Sequence, residues 1–187
     1  KISQEFKTTF AARSLMSYLN KFEIETSYGI KAWKRWGNTA EQIIKSNPYV
    51  LCIQGVDLSF SRADAVAAKS DIPADSECRI KAGITYILRQ NADQGHTCLP
   101  LDSLVKTAVS YLDVDEKLIK KVIEDETEEE NLYYYDKHGR RFVMLADFYK
   151  AEDYIARRLA IMRQISYDNK IDFSEVIDLE EENNGIK

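Results

Sequence analysis

One stretch of the chain alternates in the manner of paired strands, and it lies inside a sequence whose other segments repeat at helical spacing. Residues 131–136 (NLYYYD) and 140–145 (RRFVML) predict two strands, with Lys137-His138-Gly139 as the turn between them. A short third strand is expected over Thr97 to Leu99. This confines β-structure to one small sheet, so the expected fold is mainly α. Only three prolines and seven glycines interrupt the 187 residues, which suits long helices and excludes a fibrous or low-complexity chain.

The helical pattern starts at 5–21, where Phe6, Phe10, Leu15, Leu19 and Phe22 recur near one face. A second helix runs from Ser27 to about Trp36, and Gly37 suits its left-handed C-terminal residue. Asn38 is expected to cap the next helix, TAEQIIKS, with Glu41 as its capping-box partner. Asn47-Pro48 closes it, because a residue before proline disfavours the α region. After a tight connection at 53–60 comes a small-residue helix, 61–70. A long helix beginning near Arg79 carries Ile80, Ile84, Ile87 and Leu88 and ends at Gly95. Helices are expected at 101–112, after the Asp115 cap, and at 146–165.

From residue 75 the order is helix, short strand, helix, helix, β-hairpin, helix. That order predicts a winged-helix-like unit with the hairpin as its wing. The expected organisation is a helix-hairpin-helix-type helical domain (1–72), a winged-helix-like domain (73–166) and an acidic linker (167–187). Charge follows these divisions. Residues 1–74 carry ten basic against seven acidic side chains, and residues 168–187 carry two against seven. The whole chain has net charge -5, which does not describe a strongly basic DNA binder.

No apolar run approaches the ~20 residues of a membrane span, and the first residues lack the apolar stretch of a signal peptide. The chain begins without methionine and is expected to be part of a longer protein. Cys52, Cys78 and Cys98 form no C-x-x-C, and with His96 and His138 they offer no zinc spacing. An odd cysteine count suggests a reducing, cytoplasmic setting. None of the glycines precedes a lysine, so a P-loop cannot occur. There is no H-E-x-x-H and no G-x-S-x-G. The acidic run EDETEEE reads as a solvated helix end. No catalytic, metal or cofactor-binding residue is assigned.

Binding chemistry is more legible. A helix-hairpin-helix unit presents backbone amides of a glycine-containing turn to one phosphate, with the following helix dipole assisting. Gly55-Val56 opens such a turn here, and Ser59, Ser61 and Arg62 could add side-chain contacts. Lys31, Lys34 and Arg35 cluster on the preceding helix; they read either as a DNA-facing group or as a solvated face. Lys137, Arg140 and Arg141 flank the wing, either touching backbone or forming a soluble tip. Tyr133 and Tyr135 share one strand face and Tyr134 the other, so base stacking competes with burial.

The stretch SYGIKAWKRWGNTAEQIIKSNPYVLC followed by IQGVDLSFSRADAVAAKSDIP resembles the region ahead of the motor in RecD-like ATP-dependent DNA helicases, the group also called exodeoxyribonuclease V alpha chain. The matching residues are Asn47-Pro48-Tyr49, the glycine hairpin, Ala63-Asp64, Arg79-Ile80, Tyr86 and Gly95-His96-Thr97, with Ala151-Glu152 and Ile155-Ala156 in the last helix. Where the family reads Gly-hydrophobic-Gly, this chain has Gly55-Val56-Asp57 and a turn two residues longer. A carboxylate beside a phosphate is repulsive.

The resemblance implies a non-catalytic accessory region of a superfamily 1 helicase that moves 5′ to 3′ on DNA in recombination and repair. ATP and magnesium would belong to a motor outside these residues. The implied partners are single-stranded or forked DNA and the motor of the same chain, with no membrane and a monomeric state. The alternative is a structural brace or protein-docking platform without DNA affinity of its own. A winged-helix transcription regulator would need a basic recognition helix, yet 101–112 contains only Lys106.

Overall fold

The computed structural model describes residues 2–164 and 173–184. The first helices, α1 (Ile2–Asn20), α2 (Thr26–Trp36) and α3 (Ala40–Ser46), are followed by a 3-10 helix at Pro48–Cys52 and by α4 (Phe60–Ala68). Leu15 and Leu19 bury the core side of α1, whereas Phe10 is 68% exposed; the side chain of Phe6 lies outside the described residues.

The junction of α2 and α3 departs from the expected capping box. Residues Gly37–Thr39 form a 3-10 turn, and Asn38 is not the cap. The Thr39 hydroxyl donates to the Trp36 carbonyl at 2.8 Å instead. It satisfies the end of α2 rather than the start of α3. Asn47 does act as a cap, but for the segment after it: its side-chain oxygen accepts the Tyr49 amide at 3.0 Å.

The element order expected from residue 75 onward follows. It comprises α5 (Glu77–Asp93), β1 (Cys98–Pro100), α6 (Leu101–Leu112), α7 (Glu116–Glu128), β2 (Leu132–Lys137) and β3 (Arg140–Leu145). The strands make an antiparallel sheet in the order β1-β3-β2. His138 and Gly139 both have positive φ (51° and 72°), as a two-residue hairpin turn following the strand twist requires. Asp115 caps α7 by accepting the Lys117 amide at 2.8 Å.

The core runs without a break across the division expected at 72/73. Leu51, Phe60 and Val66 belong to one buried cluster with Ile80, Ile84, Leu112, Ile119 and Val143. Helices α5 and α6 approach closely at Gly83, where a Cβ would stand 2.6 Å from Leu112 Cδ2. Any larger residue there must push a buried leucine out of place.

Residues 1–149 form one compact unit and residues 150–187 another. The second contains the distal part of α8 (Ala146–Gln164) and α9 (Ser174–Asn184). Within the expected linker, 174–184 is helical; residues 167–172 and 185–187 lie outside the described residues. The described side chains of α9 are exposed. Along α8, Tyr154, Ile155, Leu159 and Met162 are at least half exposed. No helix among the described residues is long and apolar enough to cross a membrane.

Candidate nucleic-acid interface

The hairpin lies between the Pro48–Cys52 3-10 helix and α4. It is closed from inside: the Val56 and Asp57 amides both donate to the Ile53 carbonyl, at 3.1 and 3.0 Å, and Leu58 N–H to Leu51 O at 2.9 Å. Val56 is 1% exposed, so its side chain anchors the turn in the core. These amides are not offered to a ligand. Gly55, with φ 95°, points its N–H at Asp57 Oδ1, 3.0 Å away.

The cations of α2 meet this turn from outside. Lys31 Nζ donates to the Val56 carbonyl at 3.1 Å and lies 3.7 Å from Asp57 Oδ2. Arg35 Nη1 reaches the Gln54 carbonyl at 3.5 Å. Lys34 is exposed. The sequence grouped Lys31 and Arg35 with Lys34 by position alone; tertiary packing brings the first two onto the hairpin.

Ser59 and Ser61 are exposed at the start of α4, their hydroxyls 3.5 Å apart. Arg62 faces elsewhere. It donates to Glu25 Oε2 and to the Glu23 carbonyl, both at 2.8 Å, and lies over the Tyr28 ring. The Arg62 guanidinium beside Glu25 holds that carboxyl below its ordinary value. Arg62 thus ties α4 to the start of α2, a role that its position in the chain does not reveal.

At the β2–β3 hairpin, the register sets Lys137 directly opposite Arg140 and Asp136 opposite Arg141. Arg141 donates to both carboxylate oxygens of Asp136, at 3.0 and 3.1 Å, and covers the Tyr134 ring. Tyr133 stacks on Tyr149 with ring centroids 4.1 Å apart. Lys137 and Arg140 stand exposed at the tip, as does Tyr135 on its strand.

A groove of about 960 Å³ lies between the 53–60 hairpin and α5. Its two cations are paired within the protein. Lys81 bonds Glu77, Glu126 and Glu129 at 2.9, 2.8 and 3.4 Å, and Arg89 bonds Asp147 at 3.1 Å. The groove is therefore no phosphate channel. Cys52 on its wall has its thiol pushed up to about 12 by burial, so it is no nucleophile. Among the described residues no cluster of histidine, cysteine and carboxylate side chains is set to hold a metal ion.

Sequence reasoning had not paired the residues that join the hairpin segment to α5. Tyr49 donates its hydroxyl to Asp64 Oδ1 at 2.5 Å, and Arg79 grips both Asp64 oxygens, from Nε at 2.7 Å and Nη2 at 3.1 Å. Arg79 Nη1 also bonds the carbonyls of Ala74 and Leu112, each at 2.8 Å. Phe60 lies between the rings of Tyr49 and Tyr86, with centroids 5.6 and 5.7 Å away. All of these except Phe60 and the two carbonyl residues are letters of the motifs that carry the resemblance. They build the junction between the hairpin and α5, the scaffold on which the turn is displayed.

Residues 8–98 match the family model of the ATP-dependent RecD2 DNA helicase HHH domain. The match contains the whole hairpin, the α2 cations and the junction. This segment belongs to that helix-hairpin-helix family, which supports an N-terminal region of a RecD-like helicase.

Proposed function

We propose that this chain is a non-catalytic, DNA-associated accessory region of a RecD-like 5′ to 3′ helicase acting in recombination and repair in the cytoplasm. It touches the backbone of single-stranded or forked DNA without reading its sequence. ATP and magnesium belong to the motor it serves. The observation that carries this reading is the wing tip, where Lys137 and Arg140 stand opposite each other and exposed. Like charges in direct cross-strand register repel. An anion between them turns that repulsion into attraction, and a backbone phosphate is the anion that a helicase region meets.

Fluorescence anisotropy on a labelled single strand and a forked duplex, over a salt series, tests the reading. Replacing both Lys137 and Arg140 by alanine should weaken binding alike for all sequences and flatten the salt slope by about 0.7 for a single strand, the value for one phosphate. A slope unchanged by the double substitution would remove the wing from the contact.

The internal pairing of Arg62 and Arg141 favours a second reading, in which the region braces the motor. A chain that ignores both DNA forms at the lowest salt would establish that reading instead.

A further inference from the structure

A second groove, of about 410 Å³, runs between α1 and α3 along Phe10, Arg13, Ser17, Tyr18 and Lys21. These residues recur at helical spacing, so one side of α1 presents them all. Tyr18 is a fixed floor: its ring packs edge-on against Phe22 with centroids 5.1 Å apart, and its hydroxyl lies 3.4 Å from Ser70 Oγ. Phe10 is 68% exposed. Arg13 and Lys21 are exposed and enter no ion pair among the described residues. From α3 come Glu41 and Lys45, paired at 2.6 Å, with Lys45 Nζ 5.1 Å from the Tyr18 ring centroid. Hydrogen bonds from Lys45 and Ser14 hold the Glu41 carboxyl below its ordinary value, so it stays charged.

We propose that this groove docks an extended acidic segment of a partner protein, with two carboxylates on Arg13 and Lys21 and a neighbouring apolar side chain on Phe10. The site is separate from the DNA contact above and does not depend on it.

The spacing of charge selects a peptide over a nucleic-acid strand. Arg13 and Lys21 lie about 12 Å apart along α1, at about 1.5 Å per residue. Glu41, bonded to Ser14 and within the field of Lys21, stands between them. A strand carries a phosphate at every nucleotide, so one reaching both cations must set a phosphate against Glu41. A peptide need not. An extended chain spans the distance in about four residues, leaving neutral positions to pass the Glu41–Lys45 pair. Phe10, left in water by its own fold, gains burial from an apolar residue beside the first acid.

Panning a phage-displayed library of random peptides, about twelve residues long, against the full chain tests this. The enriched sequences are then labelled with fluorescein and titrated by anisotropy. They should carry two acidic residues about three to five positions apart, with an aromatic or aliphatic residue beside one of them. The double variant Arg13→Ala, Lys21→Ala should weaken binding about tenfold, at about two- to fivefold per exposed cation. Phe10→Ala alone should weaken it about threefold. All three side chains are exposed, so each variant should keep the circular dichroism and unfolding midpoint of the unaltered chain.

No enrichment, enrichment without the acidic pattern, or equal binding by the double variant overturns the docking groove. The double variant is also titrated with a labelled oligothymidine strand. Its affinity and salt slope should match those of the unaltered chain; a slope flatter by about 0.7 would assign the groove to a DNA phosphate and overturn the peptide. A chain that ignores DNA but binds the acidic peptides loses the wing contact and keeps this one.

Discussion

Two aspartates seven residues apart, Asp57 and Asp64, each face a cation from another helix, and they behave as opposites. Asp57 meets Lys31 in the open at 3.7 Å. Asp64 is gripped through both oxygens by Arg79 and receives the Tyr49 hydroxyl, with the Arg79 side chain only 14% exposed. Water screens the first pair and keeps it exchangeable. At the second, burial pushes the Asp64 carboxyl up, but the hydrogen bonds from Arg79 and Tyr49 outweigh it and hold the group below its ordinary value. The same geometry raises the Arg79 guanidinium. Burial, more than the pairing itself, separates a residue that holds the hairpin in place from one whose ion pair stays open to water.

The largest effect should come from Arg79→Ala. It removes two bonds to Asp64 and those to the Ala74 and Leu112 carbonyls, leaving a half-buried carboxylate without its cation. A loss of about 3 kcal/mol in denaturant unfolding is expected. A loss below about 1 kcal/mol would place this junction in the same class as the exposed pair.

Asp64→Asn should cost less, about 1–2 kcal/mol at neutral pH, because its side-chain oxygen still accepts a hydrogen bond. Its pH dependence is the sharper readout. The folded-state carboxyl lies below its ordinary value, so its stabilisation is present above that value and is lost as pH falls through the folded one. The stability gap between the two proteins should narrow below about pH 4. A constant gap down to pH 2 would show that charge plays no part there.

The smallest effect belongs to the exposed pair. Lys31→Ala should change unfolding stability by no more than about 0.5 kcal/mol. A loss matching that of Arg79→Ala would make the α2 contact structural, and the contrast between the two aspartates would collapse.

Much of the fold was legible because it is local. The strand over 140–145 and the helix over 101–112 have the bounds that alternation and periodicity predict. Asp115 caps α7 through its own side chain, and Arg141 pairs with Asp136 because hairpin register makes them neighbours. The misses occur where local signals compete. Asn38 and Thr39 both suit a cap, and the 3-10 turn after Trp36 decides that neither side chain caps α3. The acidic run in 174–184 has the charge of a linker, yet its glutamates are also good helix formers, and it is helical.

The sequence by itself determined the inventory: a mainly helical chain, one hairpin, a glycine turn before a small-residue helix, and basic residues beside each. Those properties depend on backbone preference and on neighbours within a few positions. Only the tertiary structure decided which cations are already engaged. Arg62 finds Glu25 across 37 positions, Lys31 finds the Val56 carbonyl across 25, and Arg79 finds the Leu112 carbonyl across 33. Ion pairs and hydrogen bonds act over a few ångströms of space whatever the separation along the chain, so a charge's availability to DNA is settled only when the helices have packed.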